Sequence, residues 1–308
     1  MILVVCLHPS LQRTLIFSQL VLNQVNRAKS VHVSPGGKGV NVARVIRQLG
    51  GDALLFLPLG GAHGRTVRTL LKNEGISFSP VAISSNTRIC STLLDSTTQS
   101  VTELVEESAP LTEKEMASIE KRFLSCLHKT QWLVLSGTVP SGFRETIYYD
   151  WILLARKYGI LTFLDASGHW ARNALAAHPW LLKCNWEEME GILERKISLL
   201  EVSDSLHALQ NRGAENVIVT CDGPLAYARV GDANYRIESE ALQVVNSIGS
   251  GDAMMAGIVY HISNEKPLSE AIRFGMACAG ANVLTECAGE VRPSDVYALF
   301  PRIRMIPI

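Results

Sequence analysis

Short runs without a polar residue recur along the chain, and stretches with helical spacing lie between them. The first run, 2–7, is typical of a strand that is buried on both faces of a sheet. Apolar residues then recur at helical spacing over 40–49, where a Gly-Gly pair ends the predicted helix. Further strands are predicted at 53–59, 132–135, 160–164, 180–183 and 216–220.

Helices are predicted between these strands. The clearest start is at Thr112, which forms a capping-box pattern with Glu115 before a helix that reaches about residue 128. The other predicted helices cover 65–73, 145–157, 200–211, 250–263 and 268–286, and one begins after Asn185. Alternation of this kind implies right-handed crossovers and a mostly parallel sheet with helices on both faces. The sequence therefore predicts an α/β fold.

Two stretches interrupt this alternation. Residues 11–34 and 86–106 contain short runs rich in Thr, Ser, Ile and Val, which indicate antiparallel strands with one face in water. We expect them to pair into one small sheet that forms a lid. No repeat, low-complexity tract or Pro-rich linker divides the chain, so a single domain over 1–308 is predicted.

Composition narrows the function. The formal net charge is zero, which argues against a broad electrostatic surface for nucleic acid. No apolar stretch approaches the ~20 residues that span a bilayer, and the first strand lacks the features of a signal peptide. The seven cysteines show no CxxC spacing, which favours free thiols in a reducing compartment. We expect a cytoplasmic protein without a nucleic-acid or membrane partner.

Chemically distinctive residues follow the predicted strands. The carboxyl ends of parallel strands meet at one edge of a sheet, where the active sites of such folds lie. The segments expected at this edge are 35–39, 136–137, 165, 183–188, 220–223 and 249–252. Their shared position indicates a functional site more strongly than any single motif does.

The segment 248–252, which reads Ile-Gly-Ser-Gly-Asp, places small residues before an acid at the start of a predicted helix. Glycine backbone can approach an anion closely, and the helix N-terminus adds positive potential. An aspartate beside such a site, here Asp252, can accept the proton of an attacking hydroxyl. The alternative is a tight turn in which Asp252 only caps its helix.

The segment 35–41 places Lys38 and Asn41 in a glycine-rich loop. It does not have the Walker spacing of a phosphate loop, and it is not GxGxxG. The absence of GxGxxG after the first strand disfavours a nicotinamide-dependent oxidoreductase. The glycines would let a polar ligand lie against backbone, with Lys38 and Asn41 as hydrogen-bonding groups. The alternative is a glycine turn that leads into a helix.

Two further pairs could bind charged ligands. Asn185 and Glu188 lie on one face of a starting helix, where their oxygens could hold magnesium through water. The alternative is an N-cap asparagine followed by a first-turn glutamate. Arg27 and Arg88 lie in the two lid stretches, and a guanidinium matches phosphate oxygens. The alternative for each arginine is a solvated surface position.

Together these motifs resemble the phosphofructokinase-B group of ribokinase-like sugar kinases, over nearly the whole chain and in matching order. The segments 36–43 (GGKGVNVA) and 249–252 (GSGD) carry the resemblance. Shorter matches at 25–27, 87–88, 102–103 and 246–247 resemble the branch of 1-phosphofructokinases and tagatose-6-phosphate kinases. The resemblance implies a ribokinase-like three-layer α/β/α fold with a mostly parallel central sheet and a small β-sheet lid. It also implies phosphoryl transfer from ATP, with Mg²⁺, to a hydroxyl of a phosphorylated ketose.

The resemblance implies roles for individual residues. Asp252 would deprotonate the sugar hydroxyl, and the backbone of Gly249, Ser250 and Gly251 would bind the transferred phosphoryl group. The acceptor would contact Gln12, Arg27, Gly36, Gly37, Lys38, Asn41, Arg88 and Ser136. The nucleotide would contact Lys183, Asn185, Thr220, Asp222, Gly223, Asn246, Ile248, Ala279 and Gly280. Magnesium would be held through water by Asn185 and Glu188, and the lid could pair with a second copy into a homodimer.

Departures from the family pattern concentrate at the acceptor end. Gln12 stands where the branch usually has aspartate, and Cys90 and Val105 stand where it has asparagine. The loop after Thr220 lacks the usual second glycine, and Cys184 replaces a proline. Two hypotheses follow: a working kinase whose acceptor differs from fructose 1-phosphate, or a catalytically inactive, ligand-binding or regulatory relative. The intact phosphoryl-transfer residues favour the first.

Overall fold

A large central sheet organises the computed structural model, which describes residues 1–308. In chain order the strands are β1 (Ile2–Val5), β2 (Ser10–Phe17), β3 (Ser30–Gly36), β4 (Ala53–Gly60), β5 (Ser77–Ile83), β6 (Arg88–Asp95), β7 (Val101–Val105), β8 (Trp132–Ser136), β9 (Leu161–Asp165), β10 (Leu181–Asn185), β11 (Asn216–Thr220), β12 (Leu225–Val230), β13 (Ala233–Glu238) and β14 (Arg304–Pro307). The 10-stranded sheet has the order β14-β13-β12-β11-β10-β9-β8-β1-β4-β5. Neighbours from β5 to β11 are parallel, and β12, β13 and β14 extend one edge in antiparallel pairs.

Helices cover both faces of this sheet. They are α1 (Lys38–Gln48), α2 (Gly61–Asn73), α3 (Glu113–Leu127), α4 (Ile147–Lys157), α5 (Gly168–Leu175), α6 (Trp186–Leu193), α7 (Val202–Asn211), α8 (Ser250–Ser263), α9 (Leu268–Asn282) and α10 (Pro293–Leu299), with short 3₁₀ turns at Leu199–Glu201 and Phe300–Arg302. None of them combines the length and the apolar composition that crossing a membrane requires. All seven cysteines are free thiols, as predicted.

Each face of the sheet has its own hydrophobic core. Successive side chains of a strand point to opposite faces, so Ile2 and Val4 join one core and Leu3 and Val5 join the other. The first core includes residues of α1, α2, α8, α9 and α10, and the second includes residues of α3 to α7. The predicted α/β/α layers and the mostly parallel sheet are therefore confirmed.

The two predicted lid stretches pair into a separate 4-stranded sheet with the order β3-β2-β6-β7. Its central pair, β2 and β6, is parallel, so the prediction of antiparallel strands is wrong for this pair. Strands that are joined only through a long crossover can run parallel, and the chain passes through β3, α1, β4, α2 and β5 between these two. Within the first stretch, residues 18–29 form a connection rather than a strand.

Most predicted elements of the main domain are present within a few residues of their predicted bounds. The predicted pattern omits α5, α10, β12, β13 and β14. The two-residue connection Gly231-Asp232 joins β12 to β13. A short polar turn of this kind between two strand-like runs indicates a β-hairpin, so these two strands had a signal in the sequence. The predicted last helix is too long, because α9 ends at Asn282, whose side chain bonds to neighbouring loops.

Candidate active site

Lys38 and Lys183 converge on the carboxylate of Asp165. Asp165 ends β9, Lys183 lies in the adjacent strand β10, and Lys38 begins α1. The Nζ atom of Lys38 is 3.0 Å from Oδ1, and the Nζ atom of Lys183 is 3.0 Å from Oδ2. Three segments that were predicted to share one edge of the sheet are thus in direct contact. The sequence alone predicts Asp165 at this edge but indicates no role for it.

In this cluster, each charged group favours the ionised form of its oppositely charged neighbours. Burial raises the pKa of Asp165, but the ammonium groups of Lys183 and Lys38 outweigh burial and hold that pKa below its usual range. Burial lowers the pKa of Lys38, but the carboxylates of Asp165 and Glu188 outweigh burial and raise that pKa. Glu188 Oε1 lies 3.5 Å from Lys38 Nζ. Lys38 is therefore a fixed positive charge at neutral pH, of the kind that stabilises a transferring phosphoryl group.

Asp252 lies in the first turn of α8 and is 5% exposed. Its Oδ2 atom accepts a hydrogen bond from Asn41 Nδ2 at 2.8 Å. Asn41 belongs to the first turn of α1 and is also buried. The two glycine-rich motifs, 211 positions apart, therefore meet at the predicted base.

Burial raises the pKa of Asp252 to about 6. The positive charge of Lys38 opposes this rise and the negative charge of Asp165 adds to it, while the hydrogen bond from Asn41 favours the ionised form. A carboxylate with such a pKa is mostly ionised at neutral pH and binds a proton more readily than an exposed aspartate. These properties suit a general base.

The glycines before Asp252 lie in close contact with neighbouring groups. Gly249 is the N-cap of α8 with φ 85°, and a Cβ added there would lie 2.5 Å from the backbone nitrogen of Gly289. A Cβ added to Gly251 would lie 2.5 Å from Lys183 Nζ. The lysine ammonium therefore lies against the first turn of α8, whose N–H groups have no partner within the helix. This combination favours an anion.

Two buried asparagines hold the glycine loop in shape. Asn282 Nδ2 donates to the Ile248 carbonyl at 2.9 Å, and its Oδ1 accepts from the Gly289 N–H at 2.8 Å. Asn246 Oδ1 accepts from the Ile248 N–H at 2.9 Å, and its Nδ2 donates to the Glu286 carbonyl. Asn282 is not among the residues predicted from the sequence, although an isolated asparagine in an apolar helix is a usable signal. Asn246 is 1% exposed, and both ends of its amide are bonded to backbone groups around the loop. Its contact with a nucleotide stays a prediction.

The loop before α1 and the first turn of that helix pack directly onto the end of β1. Gly37 has φ 113°, and a Cβ added there would lie 2.8 Å from Cys6 Sγ. A Cβ added to Gly39 would lie 2.6 Å from the Val5 carbonyl oxygen. Only glycine allows this approach, which places Lys38 at the carboxyl end of the central strands.

Asn185 and Glu188 form a capping box at the start of α6. Asn185 Oδ1 accepts from the Glu188 N–H at 2.7 Å, and Glu188 Oε2 accepts from the Asn185 N–H at 2.9 Å. The helix-capping alternative is thus confirmed for this pair. Each of these oxygens keeps a second lone pair, so the pair fits contact with a hydrated Mg²⁺ through water. No group of three or more His, Cys, Asp or Glu side chains is placed to ligate a metal ion directly.

Gln12 lies on the lid face beside the glycine loop and is 9% exposed. Its Nε2 donates to Thr92 Oγ1 at 2.8 Å, and that hydroxyl donates to Glu103 Oε1 at 3.4 Å. The relay fixes the amide and turns Oε1 of Gln12 towards Gly36, where an added Cβ would lie 3.2 Å from it. Gln12 therefore presents a hydrogen-bond acceptor at the predicted acceptor site.

The three residues that depart from the family pattern at the acceptor end are neighbours across the lid sheet. Gln12 pairs in register with Cys90 on β6, and Cys90 pairs with Val105 on β7. Ser34 completes the row on β3. Residues in one row of a sheet share a face, so the changes alter one continuous strip of the lid.

The remaining predicted acceptor residues differ in placement. Arg88 Nη2 donates to the His8 carbonyl at 3.1 Å and Nη1 to the Glu106 carbonyl, while its buried Nε has no partner. Arg88 thus joins the segment after β1 to the segment after β7. Ser136 ends β8, and its buried hydroxyl also has no partner. Arg27 lies exposed in the connection 18–29, and its contact with the acceptor stays a prediction.

The predicted nucleotide side follows β10 and β11. Thr220 ends β11 and pairs in register with Asn185. The other predicted nucleotide contacts are exposed or half-buried: Asp222, Gly223, Ala279 and Gly280. Their contact with a nucleotide stays a prediction.

Comparisons with known proteins identify the family to which the chain belongs. A model of the pfkB family of carbohydrate kinases matches residues 10–295, and the protein belongs to this family. The chain is 29% identical to the tagatose-6-phosphate kinase of Staphylococcus epidermidis, over 100% of both chains. Its activity class is therefore that of a carbohydrate kinase.

Solved structures resemble the whole chain. Phosphofructokinase-2 of Escherichia coli, in complex with fructose-6-phosphate, has a TM-score of 0.88 and 27% identity, and the match covers 97% of this chain and 98% of that one. Another structure of that protein is a tetrameric inhibited form. A protein of Thermotoga maritima described as a possible 1-phosphofructokinase has a TM-score of 0.91 at 21% identity, covering 100% of this chain and 99% of that one, which shows the fold alone. The predicted ribokinase-like fold is confirmed.

Proposed function

We propose that the protein transfers the γ-phosphoryl group of ATP to a hydroxyl of a phosphorylated ketose, of the fructose 1-phosphate or tagatose 6-phosphate type. The observation that carries this proposal is the buried carboxylate of Asp252 at the N-terminus of α8, held by Asn41. Lys183 against Gly251 supplies positive charge beside it. The similarity to a tagatose-6-phosphate kinase supports the acceptor class.

In this mechanism Asp252 accepts the proton of the attacking hydroxyl as its oxygen bonds to the γ-phosphorus. The bond from phosphorus to the bridging oxygen breaks, and ADP leaves with that electron pair. The backbone N–H groups of Gly249, Ser250 and Gly251 donate to the oxygens of the moving phosphoryl group. Lys183 adds positive charge there. Asn185 and Glu188 would hold magnesium through water, and the bound ion would neutralise part of the phosphate charge.

We propose further that the acceptor differs from fructose 1-phosphate. The strip of Gln12, Cys90 and Val105 offers one oriented amide acceptor and two side chains that make no strong hydrogen bond. A carboxylate at position 12 would accept from hydroxyls more strongly, because charge-assisted hydrogen bonds are the stronger ones. The intact contacts around Asp252 give no support to the inactive alternative.

A panel of sugar phosphates tests both proposals. ADP release would be measured in a coupled assay with fructose 1-phosphate, fructose 6-phosphate and tagatose 6-phosphate. Aldose phosphates would serve as negative controls. We expect a phosphorylated ketose other than fructose 1-phosphate to give the highest kcat/KM. Highest kcat/KM on fructose 1-phosphate would contradict the altered acceptor, and no turnover of any sugar phosphate would contradict the proposed reaction.

The variant Gln12→Asp tests the strip itself. We expect it to change the kcat/KM ratio between two ketose phosphates by about 10- to 100-fold, the equivalent of one charge-assisted hydrogen bond. Gln99→Asp is the matched control, because it makes the same chemical change at an exposed residue of the turn between β6 and β7. Equal effects of the two variants would contradict a role for Gln12 in acceptor choice.

We also propose a homodimer that forms through the lid. The lid face opposite Gln12 exposes Val31 and Val33 on β3 and Leu104 on β7, at 45%, 46% and 56%. Exposed apolar patches of this kind mark interaction surfaces. The cytoplasmic location stays a prediction.

A further inference from the structure

Arg44 is a buried arginine of α1 whose guanidinium joins four segments of the chain. Its Nη1 donates to Asn41 Oδ1 at 3.0 Å and to the Ala288 carbonyl at 3.1 Å. Its Nη2 donates to the Pro35 carbonyl, and its Nε donates to Glu74 Oε2 at 2.7 Å. Only 8% of the side chain is exposed. None of these contacts involves a residue that the proposed reaction transforms.

The chemistry of Arg44 settles which end of the Asn41 amide faces Asp252. An arginine has only donors, and it does not lose its charge in proteins. Arg44 can therefore donate only to Oδ1 of Asn41. This leaves Nδ2 of Asn41 to donate to the carboxylate of Asp252. If the Asn41 amide were rotated by half a turn, its Nδ2 would face the donors of Arg44 and its Oδ1 would face the carboxylate of Asp252. Neither contact would then be a hydrogen bond.

We infer that Arg44 is a positioning residue of the phosphoryl-transfer site, which fixes the Asn41 amide so that Nδ2 donates to Asp252. The inference rests on the proposed function, in which Asp252 is the base. It adds a residue that touches neither substrate nor reacting atoms. Glu74 neutralises Arg44 through two contacts, Nε to Oε2 at 2.7 Å and Nη2 to Oε1 at 3.3 Å.

The readout is the proton affinity of Asp252. A hydrogen bond to the ionised carboxylate lowers the pKa of an acid, so loss of the Asn41 donor raises the pKa of Asp252. The charged or titratable groups that face Asp252 from other elements are Lys38 on α1, Asp165 at the end of β9, Lys183 on β10 and Cys6 after β1. Substitution of Arg44 removes none of these groups.

The experiment is a ¹³C titration of the Asp252 carboxyl in the ligand-free protein, assigned by its absence from Asp252→Asn. We expect Arg44→Met and Asn41→Ala each to raise the titration midpoint by about one pH unit. The double variant should show no further rise, because Arg44 acts through Asn41. Arg44→Lys keeps a donor-only side chain and should stay close to the unchanged protein.

Turnover at saturating substrate gives a second readout. A rise of about one unit from a pKa of about 6 lowers the ionised fraction of Asp252 about fivefold at pH 6 but only about twofold at pH 7. We therefore expect kcat of Arg44→Met to fall in this pH-dependent way, with little change in KM for ATP. A loss of kcat that is equal at both pH values would contradict the inference.

Three results would overturn the role of Arg44: an unchanged midpoint in folded Arg44→Met, an equal rise in Arg44→Lys, or additive rises in the double variant. Arg44→Gln replaces the methionine variant if that variant does not fold, since a glutamine can also present an acceptor to Asn41 and release its amide. Glu74→Gln is the matched control, because it retains an acceptor for Arg44 and should leave the midpoint unchanged. Failure of the proposed function appears separately, as turnover by Asp252→Asn.

Discussion

The buried carboxylate of Asp252, the base of the proposed reaction, has a cost in stability. Burial raises its pKa from the ordinary value of 3.8 to about 6, so the folded state binds its proton more tightly than the unfolded chain does. The stability from this proton is fully present below about pH 4 and is lost as the pH rises through about 6. At neutral pH the ionised carboxylate therefore destabilises the fold, and this ionised form is the one that the proposed reaction requires.

Asp252→Asn should separate these two effects. We expect kcat to fall about 10²- to 10⁴-fold, because a general base is lost. The free energy of unfolding at pH 7 should rise by up to about 3 kcal/mol, since a neutral amide carries a smaller desolvation cost. Urea denaturation at pH 4 and pH 7 would measure the gain, which should nearly vanish at pH 4.

Asp222→Asn serves as the control for this prediction. Asp222 is an exposed aspartate in the turn between β11 and β12, so its substitution should leave the free energy of unfolding unchanged. A gain for Asp252→Asn that does not depend on pH would contradict the assigned cost of burial. Retained turnover would contradict the assignment of the base.

At the scale of the element, the start of α6 combines a structural and a chemical task. The Asn185–Glu188 capping box satisfies N–H groups that the helix leaves without partners. The same carboxylate lies 3.5 Å from Lys38 and faces the proposed site. A cap and a magnesium contact are therefore compatible, because each oxygen has two lone pairs.

Glu188→Gln should distinguish the two tasks. Glutamine also fits a capping box, so the free energy of unfolding should change by less than about 0.5 kcal/mol. The charge towards magnesium is lost, so the Mg²⁺ concentration for half-maximal activity should rise about 10- to 100-fold. Activity measured against free Mg²⁺ at fixed ATP would test this.

The capping box of α3 offers the matched control. Glu115 caps that helix with Thr112, as predicted, and has no contact with the site. Glu115→Gln should leave the Mg²⁺ dependence unchanged. If both glutamine variants show the same Mg²⁺ dependence as the unchanged protein, Glu188 does not act on magnesium.

At the scale of the whole molecule, the lid has two different faces. The inner face carries Gln12 and Thr92 and contacts the main domain through His32 and Glu286, whose Nε2 and Oε2 atoms are 3.1 Å apart. A lid in this position would exclude water, which competes with the sugar as phosphoryl acceptor. The outer face has two exposed valines and one exposed leucine that the main domain does not cover.

Val33→Glu combined with Leu104→Glu should prevent the proposed dimer. These residues lie in one row across the outer face, where burying two carboxylates against a second copy is unfavourable. Sedimentation velocity should show a dimer for the unchanged protein and a monomer for the double variant.

Leu200→Glu is the control for the dimer prediction. Leu200 is 97% exposed but lies in a 3₁₀ turn outside the lid, so its substitution should leave the mass unchanged. A monomer for the unchanged protein, or a dimer that survives both lid substitutions, would contradict assembly through this face.

Local patterns of the sequence predicted much of the fold. Capping boxes depend on residues three apart, so both the Thr112 and the Asn185 helix starts could be identified directly. Apolar runs predicted the central strands, because strands buried on both faces have no polar side. The edge strands β12 to β14 are less uniform and were missed.

By itself the sequence determined the α/β layers, the lid and the two glycine motifs, because periodicity and glycine loops are local properties of the chain. Only the tertiary structure decided which distant groups meet. Lys38 lies 127 positions from Asp165, and Asn282 lies 34 from Ile248. Arg44 looks like an ordinary polar position of a helix until its guanidinium is found between four segments. Such contacts depend on how crossovers return the chain, which no local pattern of residues specifies.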